Sequence, residues 1–352
     1  MTAVVVHDPW VERAETLARR FASARDIDTL AQLVPELRAV AREMLDGDAG
    51  GGIVARTLSA LDDALAIRAL WLVSRRHRLP SAAWCWLAFG SEGREEQTFA
   101  TDQDNGIVFS AADPAEAKAL RPLLLACAGE VNQALAACGF PLCEGGIMAG
   151  NAECCLSVDE WRERFTGWVR TPDPQALLNA TIFFDLRPLY GDARLAGELR
   201  AQIARLTRGN DTFRRMLAEN ALVAAPPLGF LRDFAARDGV VDLKKFGARL
   251  FVDAARIFGI DAPEPGTTAR FRFAARHGVL PEADVEAAIG AFHHLQRLRL
   301  LNQARVLETG GVPGNQLSPQ GLNSFDRHVL HESFKQARLL QQRLKATFRI
   351  ET

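Results

Sequence analysis

Two aspartates, Asp102 and Asp104, stand immediately before an apolar stretch that ends at Phe109. Side chains at positions i and i+2 of a strand point to the same face, so this spacing can present two carboxylates side by side. Two carboxylates at close range repel each other unless a cation lies between them, and Mg²⁺ prefers oxygen ligands of this kind. The pair therefore predicts a site for Mg²⁺ or Mn²⁺ that could align the attacking and leaving oxygens of a phosphoryl transfer.

A Gly90-Ser91 turn follows the aromatic and apolar run from Trp84 to Phe89. Glycine lets a phosphate approach the backbone closely, and backbone amides together with the Ser91 hydroxyl can donate hydrogen bonds to phosphate oxygens. Arg94 lies close by in the sequence and could hold a phosphate through two parallel hydrogen bonds. We predict that Gly90, Ser91 and Arg94 bind the phosphates of a nucleoside triphosphate.

Each of these signals has a common structural explanation when it occurs alone. A D-x-D pair is usually a solvated surface pair, Gly-Ser is usually a turn, and an exposed arginine is usually only solvated. Their order in this chain is more specific, because an apolar strand, the turn, a polar spacer and D-x-D entering a second apolar strand follow one another over residues 84–109. We therefore predict a nucleotide and metal site at this motif.

The elements around the motif predict an α/β plus α protein, in which a small mixed sheet with flanking helices precedes a helical bundle. Strands are predicted over Trp84–Phe89, Asp104–Phe109 and Pro141–Met148, with a helix over Pro114–Ala137. Strand, loop, strand, helix and strand form a small α/β unit, and we expect the site in the cleft between this unit and the helical part that follows.

Helical periodicity dominates the rest of the chain. It covers residues 9–78 except for a glycine-rich break at Asp46–Gly52, whose residues 48–52 we interpret as a plain linker between helices. It returns after Ser157, with one helix predicted over Pro174–Leu189. We therefore divide the chain into an N-terminal helical region (1–78), an α/β domain (79–160) and a helical domain (161–352).

The composition argues against several other classes of protein. A formal net charge of -1 over 352 residues gives no overall attraction to nucleic acid or to anionic membranes. No apolar run approaches the ~20 residues that cross a bilayer, and Met1–Trp10 lacks the basic and apolar regions of a signal peptide. The six cysteines have no zinc-ligand spacing and are interpreted as reduced thiols. We expect a cytoplasmic protein that binds neither membranes nor nucleic acid.

The segment from Gly90 to Asn105, G-S-E-G-R-E-E-Q-T-F-A-T-D-Q-D-N, resembles the nucleotidyltransferase superfamily that includes DNA polymerase beta, kanamycin nucleotidyltransferase and the PII uridylyltransferase. It is more closely similar to a bacterial nucleotidyltransferase family, related to signal transduction, whose members are often fused to CBS and cyclic-nucleotide-binding modules. The similarity covers roughly residues 60 to 347. Further matching segments are Trp161–Trp168, Ile182–Asp192, Pro226–Phe234, Val241–Gly247, Leu298–Gln303 and the loop around Pro313.

This resemblance implies transfer of a nucleoside monophosphate from a nucleoside triphosphate to a hydroxyl acceptor, such as a protein hydroxyl, with release of pyrophosphate. It implies that Gly90 and Ser91 hold the phosphates, that Asp102 and Asp104 bind the metal, and that the later part is a helical substrate-binding domain. Only a helical segment precedes the motif, so cyclic-nucleotide control within this chain is not implied.

Enzymes of the superfamily add a third carboxylate from a later strand. Glu144 is the candidate by position, where it would help to activate the acceptor hydroxyl, and Asp185 is the second choice. For Asp185, the structural alternatives are a salt bridge with Arg187 or a helix cap.

Several residues of the helical half could also face the cleft, although solvated helix faces explain them equally simply. They are Lys244, Lys245, Arg297, Arg299 and Gln303. The neighbouring His293 and His294 have no third ligand in view and predict no metal site. Two alternatives to an enzyme stay open: a nucleotide-sensing module without turnover, which two acids alone would favour, and an interaction protein, which a closed cleft would favour.

Overall fold

The computed structural model describes residues 8–229, 234–235 and 239–351. The predictions for residues 1–7 at the N-terminus, and for residues 230–233 of the matching segment Pro226–Phe234, therefore lie outside the described residues.

Three helices form the N-terminal region, as predicted. They are α1 (Pro9–Ser23), α2 (Ile27–Asp46) and α3 (Gly51–Ser74). Asp26 fixes the start of α2, because its carboxylate accepts a hydrogen bond from the backbone N–H of Thr29 at 2.8 Å. Buried leucines at helical spacing, such as Leu30, Leu33 and Leu37, pack α2 into the core.

A four-stranded mixed sheet follows, in the order β3-β2-β1-β4. Its strands are β1 (Trp84–Ala88), β2 (Asn105–Phe109), β3 (Cys155–Ser157) and β4 (Arg187–Gly191). β1 pairs antiparallel with both β2 and β4, while β2 and β3 are parallel. The first two strands confirm the sequence prediction.

One strand prediction was wrong, and one predicted helix was too long. Residues 141–148 form turns instead of a strand, with Gly146 at a φ of +70° that breaks an extended backbone. The third strand is the shorter Cys155–Ser157. The helix predicted over Pro174–Leu189 ends at Phe183, and Arg187–Gly191 forms β4 at the opposite edge of the sheet.

The remaining helices surround this sheet and build the C-terminal half. They are the single turn α4 (Gly90–Gly93), then α5 (Pro114–Ala137), α6 (Val158–Arg170), α7 (Pro174–Phe183), α8 (Ala193–Thr207), α9 (Asp211–Ala221), α10 (Arg249–Phe258), α11 (Thr267–Arg276), α12 (Glu282–Glu308) and α13 (Ser324–Phe348). A π-helical turn, Lys244–Ala248, leads into α10. Two short antiparallel strands, β5 (Val241–Asp242) and β6 (Gln316–Leu317), close the loops beside it.

The two faces of the sheet contribute to two different hydrophobic cores. Trp86 and Ile107 point into the core that the N-terminal helices and α5 share, whereas Leu87 and Val108 point into the core of the helical half. This alternation follows from the two-residue period of a strand. The α/β plus α prediction is thus confirmed. The boundary at residue 160 remains a prediction, and β4, which completes the sheet, lies beyond it.

The glycines at 50–52 do more than link two helices. A side chain on Gly51 would meet the backbone O of His293 in α12 at 2.3 Å, and one on Gly52 would meet the His293 ring. The glycines therefore let the start of α3 pack directly on α12, which ties the N-terminal region to the helical half.

Candidate functional site

A cleft of about 290 Å³ lies between the sheet and the helical half. The turn after β1, the residues before β2, and helices α7, α10 and α12 line it. It brings together five of the residues singled out from the sequence: Gly90, Ser91, Arg94, Asp102 and Asp104.

The turn after β1 is held directly against the aspartate segment. The backbone N–H of Phe89 donates to the backbone O of Asp104 at 2.8 Å. Gly90 follows with a φ of +54°, and a Cβ at this position would lie 2.8 Å from Asp104 Oδ2. Glycine is needed here both for the left-handed backbone and for the close approach of the carboxylate. The Ser91 hydroxyl lines the cleft and makes no hydrogen bond with another described residue.

Asp102 and Asp104 converge as the i, i+2 spacing predicted, and Cys143 joins them. One potential ligand atom from each of the three side chains lies within 4.8 Å of the others. Burial, followed by the negative charge of Asp102, raises the pKa of Asp104 to about 6, although Cys143, Lys244 and Arg94 oppose this. A carboxylate pair of this kind fits a divalent cation, because a cation would relieve both the burial of charge and the repulsion.

The structure places Cys143, and not Glu144, beside the carboxylate pair. The Cys143 thiol donates to Asp104 Oδ1 at 3.5 Å, whereas Glu144 is exposed on the turn that follows and does not line the cleft. The reason is the local backbone: a turn closed by a hydrogen bond from Gly146 N to Cys143 O replaces the strand that would have directed Glu144 to the site.

Asp185, the second choice for a third carboxylate, is wholly buried among arginines. It accepts hydrogen bonds from Arg94 at 2.6 Å, from Arg256 at 2.6 and 3.1 Å, and from Arg270. The predicted salt bridge with Arg187 was wrong, since Arg187 pairs with Asp63 at 2.7 Å. Asp185 is thus the centre of an ion network and is not a metal ligand in this arrangement.

The ion network also engages Arg94. Its guanidinium donates to Glu96 at 2.7 Å as well as to Asp185, so it lies on the cleft wall with its charge already paired. Burial acts to raise the pKa of Asp185, but the charges of Arg256, Arg270 and Arg94 outweigh it and hold that pKa well below its ordinary value. Glu96 in turn accepts the backbone N–H of Thr267 at the start of α11, at 2.7 Å.

The helical half supplies two cations that form no ion pair with any residue the structure describes. Arg299 of α12 lines the cleft and is only 6 % exposed. Its partners are neutral: Asn315 Oδ1 at 3.1 Å and Gln296 Oε1 at 2.5 Å. Burial lowers the pKa of Arg299 to about 10. Lys244, at the π-helical turn, also lines the cleft, and its ammonium group forms no ion pair with a described residue. Such cations are suited to hold anionic phosphates.

The other residues considered in this half lie elsewhere. Arg297 pairs with Asp48 at 2.6 Å, and the buried Gln303 donates to Asn315 Oδ1, while Lys245 does not line the cleft. The two histidines form no metal group within the described part of the chain. Sequence reasoning missed Arg249 and Arg256, which line the cleft from α10. Their spacing on one helix could not show which face meets the sheet.

Comparison with protein families agrees with this geometry. A profile described as "Putative nucleotidyltransferase DUF294" matches residues 35–175, which include the turn, both aspartates and Cys143. A second profile, "Putative nucleotidyltransferase substrate binding domain", matches residues 211–348, which include Lys244 and Arg299. No curated protein matches the chain.

All six cysteines are free thiols, and five of them are buried. In the described part of the chain, no helix combines the length and the apolar character that crossing a bilayer requires.

The two matched profiles lie in order along the chain, on the two halves that meet at the cleft. The chain therefore belongs to the nucleotidyltransferase family that these profiles describe, with its nucleotidyltransferase domain followed by the substrate-binding domain of the same family.

Proposed function

We propose that this protein transfers a nucleoside monophosphate from a nucleoside triphosphate to a hydroxyl acceptor and that it depends on Mg²⁺ or Mn²⁺. The observation that carries the proposal is that side chains of opposite charge line the two sides of one cleft. The carboxylates of Asp102 and Asp104 stand on one side, and the cations of Lys244 and Arg299 stand on the other. Within the part of the chain that the structure describes, neither cation has an acidic hydrogen-bond partner. Carboxylates that hold a metal ion and cations that hold phosphates are what a metal–triphosphate complex requires.

Each residue has a role in this proposal. Asp102 and Asp104 would hold the divalent ion, which would neutralise the charge that develops on the transferring phosphate when it is bound. Gly90 and Ser91 lie against Asp104 and donate hydrogen bonds to phosphate oxygens. Arg299 binds phosphate through its planar guanidinium, and its hydrogen bonds to neutral side chains hold it in place.

The reaction forms a bond between the acceptor oxygen and the α-phosphorus and breaks the bond to the bridging oxygen, so that pyrophosphate leaves. The proton of the acceptor hydroxyl passes to solvent. The protein contributes mainly positioning and charge stabilisation. Glu144 has no role here, because its side chain does not line the cleft. Arg94 acts on the nucleotide only indirectly, since its charge is paired with Asp185 and Glu96.

The test is release of pyrophosphate from each of the four nucleoside triphosphates with Mg²⁺ or Mn²⁺. We expect Asp102→Asn and Asp104→Asn to abolish release, since each removes half of the metal-binding pair. Asp159→Asn is the matched control, because Asp159 is an exposed aspartate of α6 outside the cleft and should leave release unchanged. Unchanged turnover in both cleft variants would refute the proposal.

One observation favours a second function, a nucleotide sensor that binds without turnover. The metal-binding group contains two acids and a cysteine within the part of the chain that the structure describes, and not three acids. A sensor of this kind would bind a nucleoside triphosphate with Mg²⁺ but release no pyrophosphate with any acceptor. The presence of an open cleft, in contrast, gives no support to a purely structural interaction protein.

We further propose that the acceptor is a protein or a small molecule in the cytoplasm, as in the signalling role of the PII uridylyltransferase. The near-neutral net charge of -1 supports an acceptor other than nucleic acid. Incubation of the protein with a labelled nucleotide and a cytoplasmic extract, followed by separation of macromolecules from small solutes, distinguishes these acceptors. Label on nucleic acid would contradict this part of the proposal.

A further inference from the structure

A much smaller cavity shares one lining residue, Asp102, with the main cleft. Its volume is about 20 Å³, enough for one ion or one water molecule. It is enclosed by α3, the turn after β1 and the segment leading into β2, and so lies in the nucleotidyltransferase domain itself.

The polar lining of this cavity is rich in oxygen and has no basic residue. It consists of three carboxylates and three amides: Asp62, Glu92, Asp102, Gln97, Gln103 and Asn105. Asp62 and Glu92 are 6 % and 9 % exposed, and neither carboxylate has a hydrogen bond or ion pair with another described residue. Buried carboxylates are normally paired, so two that lack partners beside one cavity need an explanation.

Gln97 provides an independent indication of a ligand. It is 3 % exposed, and its Oε1 has no hydrogen-bond partner among the described residues, although its backbone N–H donates to Ser59 Oγ at 3.2 Å. Gln103 lines the same cavity, but its side-chain amide has hydrogen-bond partners for both its nitrogen and its oxygen. Its amide donates to the backbone O of Asn132 and of Phe140, and its Oε1 accepts from Asn132. Gln97 thus offers a buried acceptor with nothing to accept from.

The surrounding charges do not neutralise the two carboxylates. Arg187 contacts Glu92, but its guanidinium pairs with Asp63 at 2.7 Å and donates to the backbone O of Glu92, not to the carboxylate. Burial, and next the charge of Asp63, raises the pKa of both Asp62 and Glu92 well above the ordinary value, while Arg38 lowers that of Asp62. Binding of either a proton or a cation would therefore stabilise each of these buried carboxyl groups.

We propose that this cavity is a second cation site, in which Asp62, Glu92 and Gln97 Oε1 ligate one hard divalent cation. Carboxylate and amide oxygens are the ligands that Ca²⁺ and Mg²⁺ use in proteins. This site is distinct from the metal site in the cleft, since Asp104 and Cys143 do not line the small cavity. Because Asp102 borders both cavities and Glu92 follows Ser91, the buried ion would fix the phosphate-binding turn and the shared aspartate. The inference does not depend on the transfer reaction, because it concerns binding alone.

The experiment separates this ion from the one in the cleft. Asp104→Asn disables the cleft pair but leaves the lining of the small cavity unchanged. We expect the purified D104N protein, after dialysis against metal-free buffer, to retain about one divalent ion per chain by elemental analysis. Removal of that ion with a chelator should lower the Tm by several degrees, and addition of Ca²⁺, Mg²⁺ or Mn²⁺, each tested alone, should restore it.

Two double variants of the cavity carboxylates and one control double variant complete the test. D62N/D104N and E92Q/D104N should lose both the retained ion and the response of the Tm to added cation, while D63N/D104N, which changes a neighbouring acid outside the cavity, should keep both. If the carboxylates hold protons instead, D104N retains no ion, its Tm does not respond to divalent cations, and the amide variants fold with equal stability. That outcome overturns the proposal. Since the amides are isosteric, failure of both double variants to fold, with no ion retained by D104N, would also count against it.

Discussion

At the scale of single residues, the site depends on side chains whose chemistry is set by what lies beside them. Asp185 is buried and Asp104 is partly buried. Three arginines hold the pKa of Asp185 low, while desolvation and a neighbouring carboxylate raise the pKa of Asp104. The first is a structural anion and the second is suited to a metal. Arg299 differs from Arg94 in the same way, since its partners are neutral and those of Arg94 are acids.

Arg299→Gln should weaken nucleoside triphosphate binding without weakening the fold. Loss of a charge-assisted hydrogen bond of about 1.5–3 kcal/mol corresponds to roughly a 10- to 150-fold higher Kd. The Tm should stay equal or rise, because a buried charge without an acidic partner is removed. Calorimetric titration and thermal unfolding measure the two quantities. Arg297→Gln on the same helix, outside the cleft, should leave the Kd unchanged, and equal losses in the two variants would refute a specific role for Arg299.

Binding of the divalent ion should weaken below pH 6, because the pKa of Asp104 is raised from 3.8 to about 6. The folded state therefore binds a proton more tightly than the unfolded chain. This tighter proton binding stabilises the metal-free folded state below about pH 4, and the stabilisation is lost as the pH rises through 6. A metal ion must displace that proton, so its affinity should fall about tenfold per pH unit below 6. Titrations with Mn²⁺ between pH 5 and 8 measure this, and a flat profile would contradict it.

At the scale of elements, the sequence predicted what short-range patterns encode. β1 and β2 are short, largely apolar stretches on either side of a polar segment. The i, i+2 spacing of Asp102 and Asp104, which directly precede β2, predicted that their carboxylates lie close together. β3 was missed because three residues, Cys155–Ser157, are too few for a pattern, and β4 because Arg187–Gly191 directly follows a real helix. Glu144 was predicted as the third carboxylate because it lies in residues 141–148, where a strand was predicted that does not form.

Gly90→Ala should damage the site more than its size suggests. The alanine would need a φ of +54°, and its Cβ would lie 2.8 Å from Asp104 Oδ2. We expect a loss of about 1–3 kcal/mol in the free energy of unfolding and loss of metal-dependent nucleotide binding. Denaturant titration and calorimetry measure both. Gly197→Ala in α8 is the control, because nothing lies within 4 Å of its added Cβ and helical alanine should be neutral or stabilising. Equal behaviour of the two variants would show that the turn is not constrained.

At the scale of the whole molecule, the halves meet through contacts between residues far apart in the sequence. Asp185 joins Arg94, which follows the turn, to Arg256 of α10 and Arg270 of α11, which lie 71 and 85 residues beyond it. Gly51 and Gly52 bring α3 onto α12. No local pattern encodes such pairings, so the sequence predicted that a cleft exists between the halves but not which charges fix its walls.

Asp185→Asn should destabilise the protein strongly. Removal of the shared anion leaves three buried or nearly buried arginines with one partner fewer, and breaking a buried ion pair typically costs about 3–5 kcal/mol. Thermal unfolding should show a clear loss of Tm, while Mn²⁺ binding at Asp102 and Asp104 should persist in the folded fraction. Unchanged stability would mean that the network does not hold the halves together, and loss of Mn²⁺ binding would point to Asp185 as a ligand.

The proposed function requires that a metal–triphosphate complex forms in the cleft. Its most direct test is the Tm of the wild type and of D104N with each nucleoside triphosphate, in the presence and absence of Mg²⁺. We predict that at least one nucleotide raises the Tm of the wild type by several degrees only with Mg²⁺, and that D104N loses this rise. A nucleotide effect of equal size in D104N or without Mg²⁺, or no effect of any nucleotide, would contradict the proposed metal–triphosphate complex.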